Sequence, residues 1–274
     1  MRSPTHSFVL EGPRAPIRSL LRDLWSSRDL IIMLARKDYF VRYRRASLGL
    51  VWAVGLPFVQ ALVLSFVFSK VFRFETDVHY GVFVFSGILP WSLFAGSLGA
   101  ASTSIVDNHM LASKIYFPRA VFPMVTVLTA LFAVVPGVIV LLTMALVLGV
   151  SLDWTVVLIV PGLLLMVLLL VAFNLVTSAL HVYFRDIRFV VAAALTAWMY
   201  ATPVLYPLER APGSLRTIIE LNPVTGAVTM FRAPIGGTEN LFPAVWWTLA
   251  WIAVLGTIGV IFQARRDRVF IDLL

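Results

Sequence analysis

The sequence predicts an all-α integral membrane protein with six transmembrane helices, on three observations. Six long apolar stretches lie between residues 48 and 262, none holding a Lys, Arg, Asp or Glu in its body. The chain is 60% hydrophobic and 13% charged, with a mean hydropathy of +0.92. That is more apolar surface than a soluble core can hold, so lipid must be its solvent. Each stretch also reaches the roughly 17–25 residues that cross a hydrocarbon core of about 30 Å.

The elements follow in chain order. Residues 1–47 form a cytoplasmic segment with ten Arg or Lys and no apolar run long enough for a secretory signal. Within it Ile17, Leu20, Leu21 and Leu24 recur at helical spacing, and Ser26 with Asp29 reads as a capping box opening a second helical stretch through Leu30, Ile31, Met33 and Leu34. Arg18, Arg22, Arg28, Arg36 and Lys37 surround these apolar residues. The pattern is that of an amphipathic helix lying along the inner membrane surface.

Residues 48–274 form the membrane domain, with spans at about 48–72, 80–106, 120–150, 154–180, 189–206 and 241–262. Pro57, Pro90, Pro136 and Pro161 fall inside them, where kinks rather than breaks are expected because neighbouring helices re-satisfy a freed carbonyl. Segments 1–47, 107–119, 183–188 and 263–274 hold 17 of the 22 Arg and Lys, which puts both termini in the cytoplasm. The net charge of +8 is thereby an orientation signal and needs no nucleic-acid partner. Between the last two spans, residues 207–240 are crowded with Pro and Gly. The apolar stretch 218–231 inside them can enter a membrane but is too short to cross it. It reads as a re-entrant external segment able to gate an exit. No internal repeat is visible, against a transporter built from inverted halves.

Several chemistries are excluded. With no cysteine there is no disulfide, thiolate metal site or Cys nucleophile. None of the three lysines, Lys37, Lys70 and Lys114, follows a glycine, so the chain has no P-loop, and G-x-S-x-G and H-E-x-x-H are absent. The spans also lack the ionisable groups on which ion-driven pumps rely. Energy must therefore come from a partner, and neither a catalytic site nor a cofactor is expected in this chain.

Four ordered blocks then carry a resemblance: Arg28-Asp29-Leu30 through Arg42-Tyr43-Arg44-Arg45-Ala46-Ser47-Leu48-Gly49-Leu50-Val51-Trp52, followed by Pro57; Lys114-Ile115-Tyr116-Phe117-Pro118-Arg119; Tyr183-Phe184-Arg185-Asp186-Ile187; and Pro203-Val204-Leu205-Tyr206 with Leu221-Asn222-Pro223. Together with the ending Phe270-Ile271-Asp272-Leu273-Leu274, they resemble type-2 ABC-transporter permeases of the polysaccharide and polyol phosphate export family, from about residue 25 onward. The resemblance implies a homodimer of six-helix subunits working with two copies of a separate ATPase that binds ATP and Mg. The cargo it implies is a lipid-linked glycan or teichoic-acid-like polymer, moved outward across the bacterial inner membrane.

The candidate site residues divide by role. Arg42, Arg44 and Arg45 stand just before the first span at headgroup depth, where guanidinium groups suit a substrate diphosphate or simply set orientation. A short helix within 107–117 can dock the ATPase through Ile115, Tyr116 and Phe117, framed by Lys114 and Arg119; the resemblance makes it the coupling helix. Trp52, Phe58, Tyr80, Phe83, Trp91 and Phe94 supply aromatic faces suited to sliding sugar rings, or to plain packing. Asn222 and Pro223 mark the exit gate. Gly96, Ala100 and Ser104 read as a helix-packing seam, and Asn174 and His181 as side chains satisfied by helix neighbours with no metal between them. Two rivals remain. A type-2 permease for drugs or small lipids would share the fold. A membrane-embedded glycosyl- or phosphotransferase would need acidic or His residues converging at one face, and Asp107, Asp186 and His181 are few and far apart.

Overall fold

In hydrocarbon a backbone can hydrogen-bond only within its own helix or to a closed neighbour, so apolar runs of this length fold as helices. The computed structural model describes residues 17–44, 46–71, 78–114, 117–235 and 241–266. Its helices are α1 (Ile17–Ser26), α2 (Arg28–Tyr43), α3 (Val51–Phe66), α4 (Tyr80–Asp107), α5 (His109–Lys114), α6 (Val121–Val147), α7 (Ile159–Tyr183), α8 (Ile187–Ala201), α9 (Gly213–Leu221), α10 (Thr225–Arg232) and α11 (Leu241–Arg266). A π-helical turn, Val67–Val71, extends α3, and a 3₁₀ turn, Trp154–Leu158, leads into α7.

Among the described residues, five helices are long and apolar enough to cross a membrane: α3 with its extension, α4, α6, α7 with its 3₁₀ lead, and α11. No break occurs at Pro57, Pro90 or Pro136, through which α3, α4 and α6 continue, and Pro161 falls in the first turn of α7, where a proline costs no hydrogen bond. The fifth expected stretch differs. Its helix, α8, has 15 residues, about 22 Å at about 1.5 Å per residue, short of a core of about 30 Å. Pro203 is the cause: the residue before a proline is pushed out of the helical region, and Thr202 is extended at φ −101°, ψ 141°.

The core is organised around α4, which packs against α3, α6, α7, α8 and α10. Three of its buried serines are tolerated because the hydroxyl donates to a carbonyl one turn back, Ser86 to Phe83 at 2.7 Å, Ser102 to Gly99 at 2.7 Å and Ser104 to Ala101 at 2.9 Å, and a fourth, Ser97, accepts from Asn174. At the end of the bundle where α4 finishes and α6 begins, a second cluster joins Ala35 of α2, Ile105, Phe117, Val121, Phe122, Val125, Ala179 and Val182. α1 docks there through Leu20, which packs with Ala120 and Leu175.

The capping box is not used. Ser26 is the last residue of α1 and its hydroxyl donates to Asp23 O at 2.9 Å; Ser27 holds the N-cap of α2 but donates to the same carbonyl at 2.7 Å. Both hydroxyls close α1, so none remains to cap α2. The stretch 218–231 forms neither one helix nor a loop. It is a helical hairpin, α9 then α10, turning at residues 222–224, whose second limb is buried between α4, α7 and α11. Gly226 permits that insertion: a Cβ there would meet Ala244 O at 2.4 Å.

Candidate functional site

α2 is held along α6 by the small side chain of Ala35, whose carbonyl accepts from the Thr129 hydroxyl at 3.4 Å, and by Tyr39, whose ring meets Phe132 edge-on at 6.0 Å. One turn beyond Tyr39 comes Arg42, beside the middle of α6. The chain then turns through a tight elbow, with Gly49 in the left-handed region at φ 52° and Gly49 N–H donating to Ala46 O at 3.0 Å. α3 starts at Val51 and runs back along α4.

Two depressions flank Tyr43 at this elbow. One is a cleft of about 220 Å³ between α3 and α6, floored by α4, with Arg42 and Trp52 in its lining together with Leu56, Pro57, Gln60, Ser92 and Gly96. The other, of about 580 Å³, is an open groove bounded by Lys37, Phe40, Tyr43, Arg44 and Leu50. No carboxylate lines either, although Lys37 has Asp38 beside it at 3.8 Å. The structure thus brings Arg42, Arg44 and Trp52 to one elbow, while Arg45 lies outside the described residues. Two arginines stand close to the start of α3, a residue type whose planar fork matches the oxygens of a phosphate.

The expected ATPase-docking segment is rearranged in detail. α5 is the short helix anticipated between α4 and α6, with Lys114 its last residue; Ile115 and Tyr116 lie outside the described residues. Phe117 is 6% exposed and packs edge-on to Phe122 at 5.4 Å, and Arg119 is 3% exposed with Nη1 donating to Phe117 O at 3.3 Å. These two residues therefore face inward. They anchor the start of α6 rather than offering a docking surface, because the apolar ring fills the gap where α2, α4, α6 and α7 converge.

The aromatic residues of α4 are also interior. Tyr80, Phe83, Trp91 and Phe94 are between 0 and 7% exposed. Tyr80 donates its hydroxyl to Leu205 O at 2.6 Å, and Phe94 packs edge-on against Phe173 and Trp198 at 5.7 and 5.3 Å. Phe58 meets Phe85 edge-on at 5.6 Å. None of these five lines either depression; Trp52 does. Asn222 is a tied corner: its Oδ1 accepts from Trp198 Nε1 and Val224 N, both at 3.0 Å, and its Nδ2 donates to Ala201 O at 3.1 Å and Thr202 Oγ1 at 3.0 Å. Pro223 O accepts from Thr248 at 2.8 Å.

The small residues behave otherwise than expected at Gly96, where a Cβ would meet nothing within 4 Å. That position opens onto the cleft instead of pressing on a helix. Asn174 is satisfied through its amide nitrogen, which donates to Ser97 Oγ at 2.9 Å and Thr126 Oγ1 at 3.2 Å, whereas its Oδ1 and the Nδ1 of His181 are buried without a hydrogen-bond partner.

Sequence reading missed Arg232. It ends α10 at 5% exposure, donating to Pro203 O and Val204 O at 2.8 Å each and to Ser86 Oγ at 3.2 Å, with its guanidinium 3.9 Å from the Phe83 ring centre. The signal was a lone arginine directly after an apolar stretch, hidden by counting it among external loop cations.

A bundle of long apolar helices with a cationic elbow before one of them is the architecture of a multi-span membrane protein. The sequence model of the ABC-2 type transporter family matches residues 29–235, so the chain belongs to that family. It is 32% identical over 257 residues to the O-antigen export system permease protein RfbA of Myxococcus xanthus, covering 90% of this chain and 96% of that protein. Two Klebsiella pneumoniae proteins of the same name are 29% and 28% identical, each over 74% of this chain and 79% of their own length. The chain is accordingly a permease subunit of an ABC-2 transporter.

Proposed function

We propose that this permease exports a lipid-linked polysaccharide of the O-antigen type, or a teichoic-acid-like polymer, outward across the bacterial inner membrane, both termini facing the cytoplasm. It works as a homodimer with two copies of a separate ATPase, which bind the ATP and Mg. The observation that carries the reading is the similarity to the Myxococcus xanthus O-antigen permease across 96% of that protein's length. A drug or small-lipid exporter of the same fold is less well supported, because all three similar permeases carry the O-antigen name.

The geometry suggests how energy would reach the substrate. The ATPase pushes α5, the short helix hung between α4 and α6. Phe117 and Arg119 transmit the push, being packed into the start of α6. α6 carries α2 along its side, and α2 holds Arg42 in its last turn and Arg44 just past its end. In this reading the two guanidinium groups receive the substrate's diphosphate at the cytoplasmic entrance. α8 completes the fifth of six crossings together with the turn after Thr202, and the α9–α10 hairpin re-enters from the outside. The second copy covers faces left open on α3 and α8, where Val59, Val63, Phe66, Phe189 and Tyr200 are exposed.

Deleting the gene in its own host tests the proposal. Loss of surface polysaccharide with accumulation of its lipid-linked precursor inside the cell is expected. Normal surface polysaccharide with heightened drug sensitivity would favour the rival.

A further inference from the structure

The cleft behind Arg42 has a shape and chemistry of its own. Along α4 its floor runs from Leu89 to Gly96, about 10 Å at about 1.5 Å per residue. Its walls are Leu56 and Pro57 of α3 and Ala130, Ala133 and Val134 of α6. Its polar side chains gather toward the Arg42 end and one flank: besides Arg42 they are Tyr43, Trp52, Gln60 and Ser92, of which the Ser92 hydroxyl donates to Leu89 O at 2.8 Å and Gln60 Nε2 to Met199 Sδ at 3.8 Å. The rest of the lining, from Leu56 and Pro57 across to Ala130 and Val134, is apolar; a sugar pressed on it would leave hydroxyls without partners, at a cost, whereas a hydrocarbon chain would not. With about 220 Å³ the cleft is smaller than the roughly 300–1,000 Å³ that encloses a whole ligand, so it takes a segment of chain. One end carries the exposed guanidinium of Arg42 and no carboxylate.

From this we infer that the cleft holds the first part of the substrate's lipid anchor, a prenyl-type chain, while Arg42 holds the phosphate to which that chain is attached. The inference rests on the lipid-linked substrate proposed above and adds a subsite to it. Gly96 is its most telling position. A side chain there would collide with nothing in the protein and would occupy the space assigned to the anchor.

The test uses the permease co-purified with its ATPase partner in nanodiscs of zwitterionic lipid. The probe is a polyprenyl diphosphate with a diazirine in the isoprene unit next to the diphosphate. Labelling is expected on α3 and α6 near Leu56 and Ala133, and Gly96→Leu and Ala133→Leu should each lower it at least tenfold. Gly96→Leu should leave folding intact, because leucine favours a helix over glycine and the space is open. Arg42→Gln should also lower labelling tenfold, and inorganic diphosphate should compete far less well than unlabelled polyprenyl diphosphate. Wild-type labelling in both filled-cleft variants overturns the subsite; if Arg42→Gln still loses label in that case, the phosphate reading survives alone. Equal protection by phosphatidylglycerol makes the cleft a general lipid groove and also overturns the inference.

Discussion

The guanidinium of Arg232 lies 3.9 Å from the ring centre of Phe83, and it can do so because residue 87, one turn further along α4, is glycine. A Cβ at Gly87 would stand 2.3 Å from Arg232 Nη2 and 2.7 Å from Val204 O. The pair fastens the α9–α10 hairpin to the central helix and gives donors to two carbonyls freed where α8 ends at Pro203. Burying an arginine is costly unless it is hydrogen-bonded, and here three acceptors and an aromatic face surround it.

Gly87→Ala should therefore destabilise the purified protein by about 1–3 kcal/mol, the usual cost of overpacking. Arg232→Met, which leaves the Pro203 and Val204 carbonyls without this donor, should cost about 2–5 kcal/mol. Arg232→Lys should fall between, since an ammonium cannot reproduce the planar fork. Unfolding of the three variants in detergent measures this, and a Gly87→Ala protein as stable as wild type would contradict the packing described.

Phe117 makes a second case. Truncation to Ala should cost about 3–5 kcal/mol by opening the cluster around Ala35 and Val121, while Phe117→Leu should cost less than about 1.5 kcal/mol. Export should fall with stability. A Phe117→Ala protein of unchanged stability that still loses its ATPase would restore a docking role to this ring.

Asn222 is expected to act as a corner brace. Asn222→Ala removes four hydrogen bonds and should destabilise by about 1–3 kcal/mol, with hydrogen exchange rising in α9 and at the end of α8. Faster export with unchanged protection would instead mark it as a gate.

Much of this architecture was legible in the sequence because lipid imposes one rule, a long uncharged apolar run, and α4, α6, α7 and α11 obey it. The positions of α5 and of the helical segment before α3 were legible for a related reason, charged or turn-forming residues interrupting apolar periodicity. What escaped was whatever depends on which neighbour a side chain meets. An aromatic on α4 looks the same in sequence whether it faces a channel or Phe173, and Phe117 looks like a docking anchor until Phe122 is found against it. Gly96 looked like a contact and is a gap. Arg232 looked like a loop cation because its acceptors are carbonyls 28 and 29 residues away in the chain, invisible to any local pattern. At the elbow, the basic residues could be named but not apportioned; only the fold puts Arg42 in one depression and Arg44 in the other.

The arginines at the elbow yield a further expectation. Replacing both Arg42 and Arg44 with Lys keeps the charge that orients the chain but loses bidentate geometry. Affinity for a polyprenyl diphosphate should fall about tenfold, or about 1.4 kcal/mol, with membrane insertion unchanged. Undiminished affinity in the doubly substituted protein would reduce these residues to an orientation signal.

The central claim, that this permease moves a lipid-linked polysaccharide only when a separate ATPase drives it, is tested most directly by reconstitution. Liposomes carrying the permease alone, or with its ATPase partner, are loaded with lipid-linked polysaccharide and supplied with ATP. Outward movement of the polymer is then read by its accessibility to a glycan-cleaving enzyme on the far side. Movement that requires both chains and ATP, with no hydrolysis by the permease alone, is the predicted result. Movement or robust ATP hydrolysis by the permease without its partner would contradict the account.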